Sequence, residues 1–234
     1  MENTKSYATG VAGLQAEIRC EPLPFFDHND LESVRRVFQH SEPCPLQQAW
    51  LPETQAGFSP GEVRLGWRGR SLMIFANLTD MDVFNDATGF NQHTWELGDV
   101  FEMFFQSAEM ESYVEFHVTP NNQHLQLHYP TAGAVEWARK NERLTDFLNW
   151  NKEFHSKTWI EPQMCRWYVF AVIPARAVCG SNEPIKNTRW RFSFGRYDYT
   201  RGAKEPVISS TSSHAKPDFH RQHEWGVLIF KTHL

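Results

Sequence analysis

The residues with the clearest chemical potential, Glu102, Glu115 and His117, fall in a part of the chain whose alternation would gather them on one surface. Residues 95–129 read as three antiparallel strands. In 99–106, Phe101, Met103 and Phe105 point one way, and Val100, Glu102 and Phe104 the other. In 113–119, Val114, Phe116 and Val118 oppose Tyr113, Glu115 and His117. In 123–129, Leu125, Leu127 and Tyr129 alternate with His124, Gln126 and His128. A period of two marks a half-buried strand. The turn Thr119-Pro120-Asn121-Asn122 suits tight dihedrals. A four-residue loop and a two-residue Asn-Asn turn give the same parity. Both predict an apolar underside with Val114, Phe116, Leu125 and Leu127, and an upper face with Glu115, His117, His124, Gln126 and His128. Glu102 joins that upper face, and Trp95 stands at its rim. Carboxylates and imidazoles so placed can accept hydroxyl protons, exchange protons, or ligate Zn²⁺ and similar metals.

The rest of the chain must hold this face. Residues 14–20 read as a first strand. Residues 29–39 read as a helix capped by Asn29, with Glu32 three positions on and an apolar stripe of Leu31, Val34, Val37 and Phe38, which packs against a sheet. Four prolines mark 41–60 as a loop, and 62–67 with 71–80 form a hairpin around Arg68-Gly69-Arg70. Residues 135–148 can form a second helix. Residues 157–173 turn β-like, and Trp167–Ile173, apolar on both faces, reads as a central strand that ends at Pro174. Residues 189–198, 206–210 and 226–230 are further strands. Nine or ten strands without βαβ alternation predict an all-β fold: one antiparallel β-sandwich, jelly-roll or immunoglobulin-like, with one or two short peripheral helices, spanning residues 11–234 after a disordered 1–10.

The chain has 234 residues and a net charge of −5, so it lacks the basic footprint of a nucleic-acid binder. No apolar run is long enough to span a membrane. Four cysteines without CxxC spacing read as reduced thiols. No apolar segment follows Met1, which points to the cytoplasm unless a leader has been removed. Aromatic residues make up 14% of the chain, with nine Trp, enough to supply ring faces for a ligand as well as a core. The loop 80–94 carries Asp80, Asp82 and Asp86, hard oxygen donors suited to calcium, although the order lacks the spacing of a calcium-loop motif.

Three motifs carry a resemblance. Trp95 is followed by GDVFEMFF (98–105) and YVEFHVTPNN (113–122); WYVFAVIPARAV occupies 167–178; FHRQHEWGVLIF closes the chain at 219–230. Together, over roughly residues 14–230, they resemble the family 9 carbohydrate-binding modules and their DOMON-like relatives, which are β-sandwiches. In sugar-binding members two aromatic rings enclose a terminal sugar, and a Glu with other polar residues takes its hydroxyls. The resemblance implies Trp95 and Phe219 as the rings, Glu102 as the acid, and His117 where some members carry Arg. Phe219 departs from the family's Trp. Arg196 would lie near the cleft, as a ligand or as the partner of Glu102.

The function implied is non-catalytic recognition of a sugar or short oligosaccharide, with no cofactor required. The alternatives are a metal-assisted enzyme on the face of Glu102, Glu115, His117, His124 and His128, for which no HExxH-type motif exists, a haem binder, for which there is no CxxCH, and a structural or interaction domain, since fold does not settle function. Between the two metal readings, calcium at the Asp loop ranks above zinc at the His face. Oligomeric state is not legible.

Overall fold

The structure, a computed structural model, describes residues 17–181, 185 and 188–230. The expected disordered 1–10 lies outside these residues. The strands are β1 (Glu17–Pro22), β2 (Pro43–Pro45), β3 (Gly61–Arg68), β4 (Ser71–Thr79), β5 (Val100–Ser107), β6 (Tyr113–Val118), β7 (His124–Tyr129), β8 (His155–Glu161), β9 (Arg166–Pro174), β10 (Arg189–Asp198), β11 (Val207–Ser210) and β12 (Gly226–Phe230). The helices are α1 (Leu31–Phe38), α2 (Ala134–Asn141) and α3 (Ala175–Cys179). The protein is thus mostly β, with a few short helices.

The strands form one curled sheet in the order β7-β6-β5-β10-β12-β1-β3-β4-β9-β8, with β11 on β10 and β2 on β3. Two separate sheets were expected. Instead β1 joins the halves, pairing in parallel first with β12 and then, at Glu21–Pro22, with β3. The concave core takes alternate residues from both halves: Phe101, Met103, Phe105, Val114 and Phe116 from one, and Val63, Leu65, Ile74, Ala76, Trp167 and Val169 from the other. The outer face of β4 and β9 is covered by α1 through Val34 and Phe38 against Phe75, Tyr168 and Phe170. The α1 cap is Asp30, whose carboxylate accepts from the Ser33 amide, one residue past the expected Asn29.

The β6–β7 hairpin departs from the expected parity. Thr119 N–H donates to the Gln123 carbonyl, Asn122 N–H donates to the Thr119 carbonyl, and Asn122 sits at φ 59°. This is a three-residue loop with a left-handed last residue, an odd count where both expected loops were even. Glu115 consequently pairs with Leu127, His117 with Leu125 and Tyr113 with Tyr129. The apolar set of β7 thus shares the face of Glu115 and His117, and His124, Gln126 and His128 go to the other. There His124 stacks on Phe154, at 4.5 Å between centroids. Gln126 donates to the Asn151 carbonyl, and His128 is exposed.

Arg196 lies on the concave side of β10, the side of Trp190, Phe192 and Phe194. Its guanidinium is fully buried and lies 3.0 Å from both Asp80, just past β4, and Asp198. It is therefore a core ion pair tying the two halves of the sheet, and not a neighbour of Glu102. Asp99 stands in the same group, one carboxylate oxygen from each of Asp80, Asp99 and Asp198 lying within 4.8 Å of the others. Burial, with Asp80 adding to it, pushes Asp99 up to about 8; burial pushes Asp198 up to about 6. Replacing Arg196 by Met leaves three buried acids without their cation, so Arg196→Met should lower unfolding free energy by about 3–5 kcal/mol. A denaturant midpoint within error of wild type would show the pair to be dispensable.

Candidate functional site

The outer face of β5, β6 and β10 builds a pocket from the opposite parity. Glu102 pairs in register with His117, Phe104 with Glu115, and Gly195 with Glu102. The apolar wall is Leu127 and Tyr129 from β7. The cover comes from Val135 and Arg139 of α2, from Leu144, and from Phe219 and His220 in the segment before β12. The Thr94–Glu96 turn places Trp95 on the rim, and Tyr197 and Ile208 complete the wall. The cavity measures about 220 Å³.

Its floor is ionic and buried. His117 is fully buried; its Nε2 lies 2.6 Å from Glu115 Oε1 and 3.3 Å from Glu102 Oε1, and its Nδ1 lies 2.8 Å from the Thr94 hydroxyl. His220 repeats the pattern: Nδ1 meets the Tyr113 hydroxyl at 2.9 Å, and Nε2 faces Glu115 Oε2 at 3.7 Å. Burial, with Glu115 adding to it, pushes Glu102 up to about 8, so this carboxyl is mostly protonated at neutral pH. Burial also acts on Glu115, but His220 and His117 outweigh it and hold the group below its usual value. Burial would neutralise His117, yet Glu102 and Glu115 raise it. The floor therefore sets the raised acid Glu102 beside Glu115 facing one cavity, a donor and an acceptor, with His117 buried beneath and between them.

Trp95, Glu102 and Phe219, expected in one cleft, all line this pocket. His117 lies beneath it, beside Glu102. Arg196 lies on the other face of β10. His124 and His128 are absent from the site because of the hairpin parity, and His220 takes the place expected of them. One face of the Trp95 indole carries the His93 ring, 4.7 Å away and nearly parallel, and His117 meets Trp95 edge-on. Phe219 is buried among Phe104, Tyr197 and Trp50, more wall than platform. Sequence reasoning missed Arg139, His220, Tyr197 and Asp218. The FHRQHEW run did contain His220, but only its approach to Glu115 reveals the role. Of the acidic loop, Asp80 is taken by Arg196 and Asp82 by Arg201, and Asp86 is exposed. The acids that gather are Asp80, Asp99 and Asp198.

No family model matches the chain, and no curated protein does. Solved structures do. A Bacteroides uniformis protein, provisionally assigned as carbohydrate-binding, aligns with a TM-score of 0.73 at 19% identity over 93% of this chain and 100% of its own. A family 9 carbohydrate-binding module of Caldicellulosiruptor kristjanssonii in complex with glucose aligns at 0.61 and 14%, over 93% of this chain and 97% of its own. The same organism's module in complex with cellotriose aligns at 0.61 and 14%, over 94% of each chain. The fold is that of a family 9 carbohydrate-binding module. Among the described residues of this family-9-like chain, no helix is long and apolar enough to cross a membrane.

Two features hold the pocket's cover in place. Gly195 has no side chain where the Phe219 ring rests: a Cβ there would come 2.6 Å from the ring and 3.3 Å from Glu102 Oε2. Gly195→Ala should therefore destabilise the protein by about 1–3 kcal/mol and shift Phe219, read as a lowered melting temperature and altered aromatic circular dichroism. The cover's second anchor is Glu224, which accepts from Arg221 at 2.6 and 2.7 Å and contacts His214 at 3.0 Å. Arg221 foremost, then His214 and the Ala215 amide, hold Glu224 down to about 2. A depressed acid stabilises the fold above its unfolded value of about 4.5 and loses that contribution as pH falls towards about 2. The melting-temperature gap between wild type and Glu224→Gln should thus be full at neutral pH and close across that window. A gap independent of pH would mean that the carboxylate's charge contributes nothing.

Proposed function

We propose that this protein binds a sugar, or the end of a short oligosaccharide, in the pocket of Trp95, Glu102 and Phe219, and that it does so without catalysis. The observation that carries the reading is the combination of ring edges and faces on the walls with a neutral acid and a carboxylate on the floor and a guanidinium at the mouth. A pyranose has that character itself, with apolar C–H faces and a rim of hydroxyls. Trp95 and Tyr129 offer aromatic surface at little entropy cost. Glu102, protonated, can donate to a sugar oxygen and accept from a neighbouring hydroxyl; Glu115 can only accept. Arg139 on α2, 3.4 Å from Asp218, stands at the mouth in position to donate. A cavity of about 220 Å³ is below the usual range for drug-sized ligands, about 300–1,000 Å³, so it suits one ring, with any longer chain projecting outward.

The overlap with modules whose structures contain glucose and cellotriose supports a carbohydrate ligand; the assignment of individual residues rests on this pocket's own geometry. The jelly-roll arrangement remains our description of how the two halves of the one curled sheet face one another. Calcium at the acidic loop remains an expectation, with Asp99 and Asp198 grouped with Asp80.

Titration calorimetry with glucose and cellotriose tests the reading. Trp95→Ala should weaken binding by about 2 kcal/mol or more, as for a buried aromatic anchor. Glu102→Ala, which removes a donor and an acceptor together, should weaken it by about 1–3 kcal/mol, with circular dichroism showing both variants folded. Sugar binding that survives Trp95→Ala would place the site elsewhere.

A further inference from the structure

From the floor of the pocket we infer that Glu102, Glu115, His117 and His220 form a site for a divalent transition metal of the zinc type. One ligand atom from each of Glu102, Glu115 and His117 lies within 4.8 Å of the others, and all three residues are buried. His220 lies outside that group but next to it, its Nε2 facing Glu115 Oε2 at 3.7 Å, and is the fourth donor of the inferred site. Metal bonds of about 2.0–2.1 Å in tetrahedral geometry place ligand atoms about 3.3 Å apart. The separation of His117 Nε2 from Glu102 Oε1 is 3.3 Å, already of that size, whereas His220 stands outside the group and must close on it from its contact with Glu115 to complete a tetrahedron.

Three further observations point to an ion rather than to a closed polar network. Glu115 Oε2 is buried with no donor in hydrogen-bond geometry, His220 Nε2 standing off at 3.7 Å; an under-satisfied carboxylate oxygen in such surroundings is costly. Both histidines turn Nε2 to the cluster while Nδ1 is engaged by a hydroxyl, Thr94 for His117 and Tyr113 for His220. That is how outer-shell groups orient a metal-ligating imidazole. Lastly, Glu102, Glu115 and His220 line the cavity, which supplies an entry path. The mixed imidazole and carboxylate donors suit zinc, copper or nickel better than calcium.

Binding would replace the 2.6 Å contact between His117 and Glu115 and release the Nε2 proton of His117 and any proton on Glu102 to solvent. The ion would then lie at the bottom of the pocket, facing whatever occupies it. The inference is independent of sugar binding, because the ion alone is titrated.

The test uses the full chain, treated with chelator and dialysed, and titrated calorimetrically with Zn²⁺ in buffers of differing ionisation enthalpy. Wild type should bind one equivalent with micromolar or tighter affinity and release protons, and Co²⁺ should give the visible absorption of a tetrahedral site. His220→Phe, which keeps an aromatic ring beside Phe104 and Tyr113, and Glu115→Gln should each lose at least about tenfold in affinity. His128→Ala, on the other face of the sheet, should bind as wild type does. Circular dichroism confirms folding, and if Glu115→Gln does not fold, His220→Phe decides. Absence of stoichiometric Zn²⁺ binding, affinity unchanged in His220→Phe, or loss in His128→Ala would each overturn the site.

Discussion

Ionisable groups removed from water must find partners, and this constraint shapes both faces of β5 and β10. On the concave face Arg196 gathers Asp80 and Asp198, with Asp99 beside them. On the outer face, one residue along β10, Gly195 backs onto Glu102, which meets His117 and, through it, Glu115. The two clusters are separated only by the thickness of the strands. Each is costly to strip of either sign of charge. The consequence is a scaffold in which the pocket floor is held by the same strands that hold the core, so its side chains have little freedom to re-aim.

The walls are softer than the floor. Glu102, Glu115 and His117 project from central strands, whereas Trp95, Arg139, Phe219 and His220 come from short turns, a two-turn helix and the segment before β12. Rigid elements provide polar precision, and connecting segments provide shape. This division matches the general placement of recognition surfaces on connections carried by a firm framework. Aromatic packing tightens the connections: Phe219 rests on Gly195 without an intervening side chain, and the Trp225 indole N–H donates to the Phe219 carbonyl.

Much of this was legible in the sequence. Alternation located β5, β6, β10 and β12, placed Glu102 beside His117, and put Phe101, Met103, Phe105, Val114 and Phe116 in the core. Motif order pointed to the fold that the solved structures share. What failed was one count. The β6–β7 loop was read with an even number of residues, and Asn122 in the left-handed region makes it odd. Since Leu125, Leu127 and Tyr129 are apolar and both faces of this part of the sheet are covered, hydrophobicity alone could not choose between the parities. Arg196 was misplaced for a related reason. A cation on an otherwise aromatic face reads as part of a ligand cleft until the acids that neutralise it, Asp80 just past β4 and Asp198 on β10 itself, are seen. His220 and Arg139 are long-range partners, and local pattern carries no sign of them.

The position of β1 has a consequence for how the molecule is made. β1 lies in the middle of the sheet, between β12 and β3, and Glu17 is in register with Val227, more than two hundred residues along the chain. The centre of the sheet therefore closes last during synthesis, when the final strand has appeared. Until then the first residues of β1 and of β10 that pair with β12 wait with one side unpaired, templates for strands of other chains. Pairings between such distant residues carry a large loop-closure cost and slow folding. Both ends of the described chain belong to the keystone rather than to the periphery, so a change at either end acts on the middle of the structure.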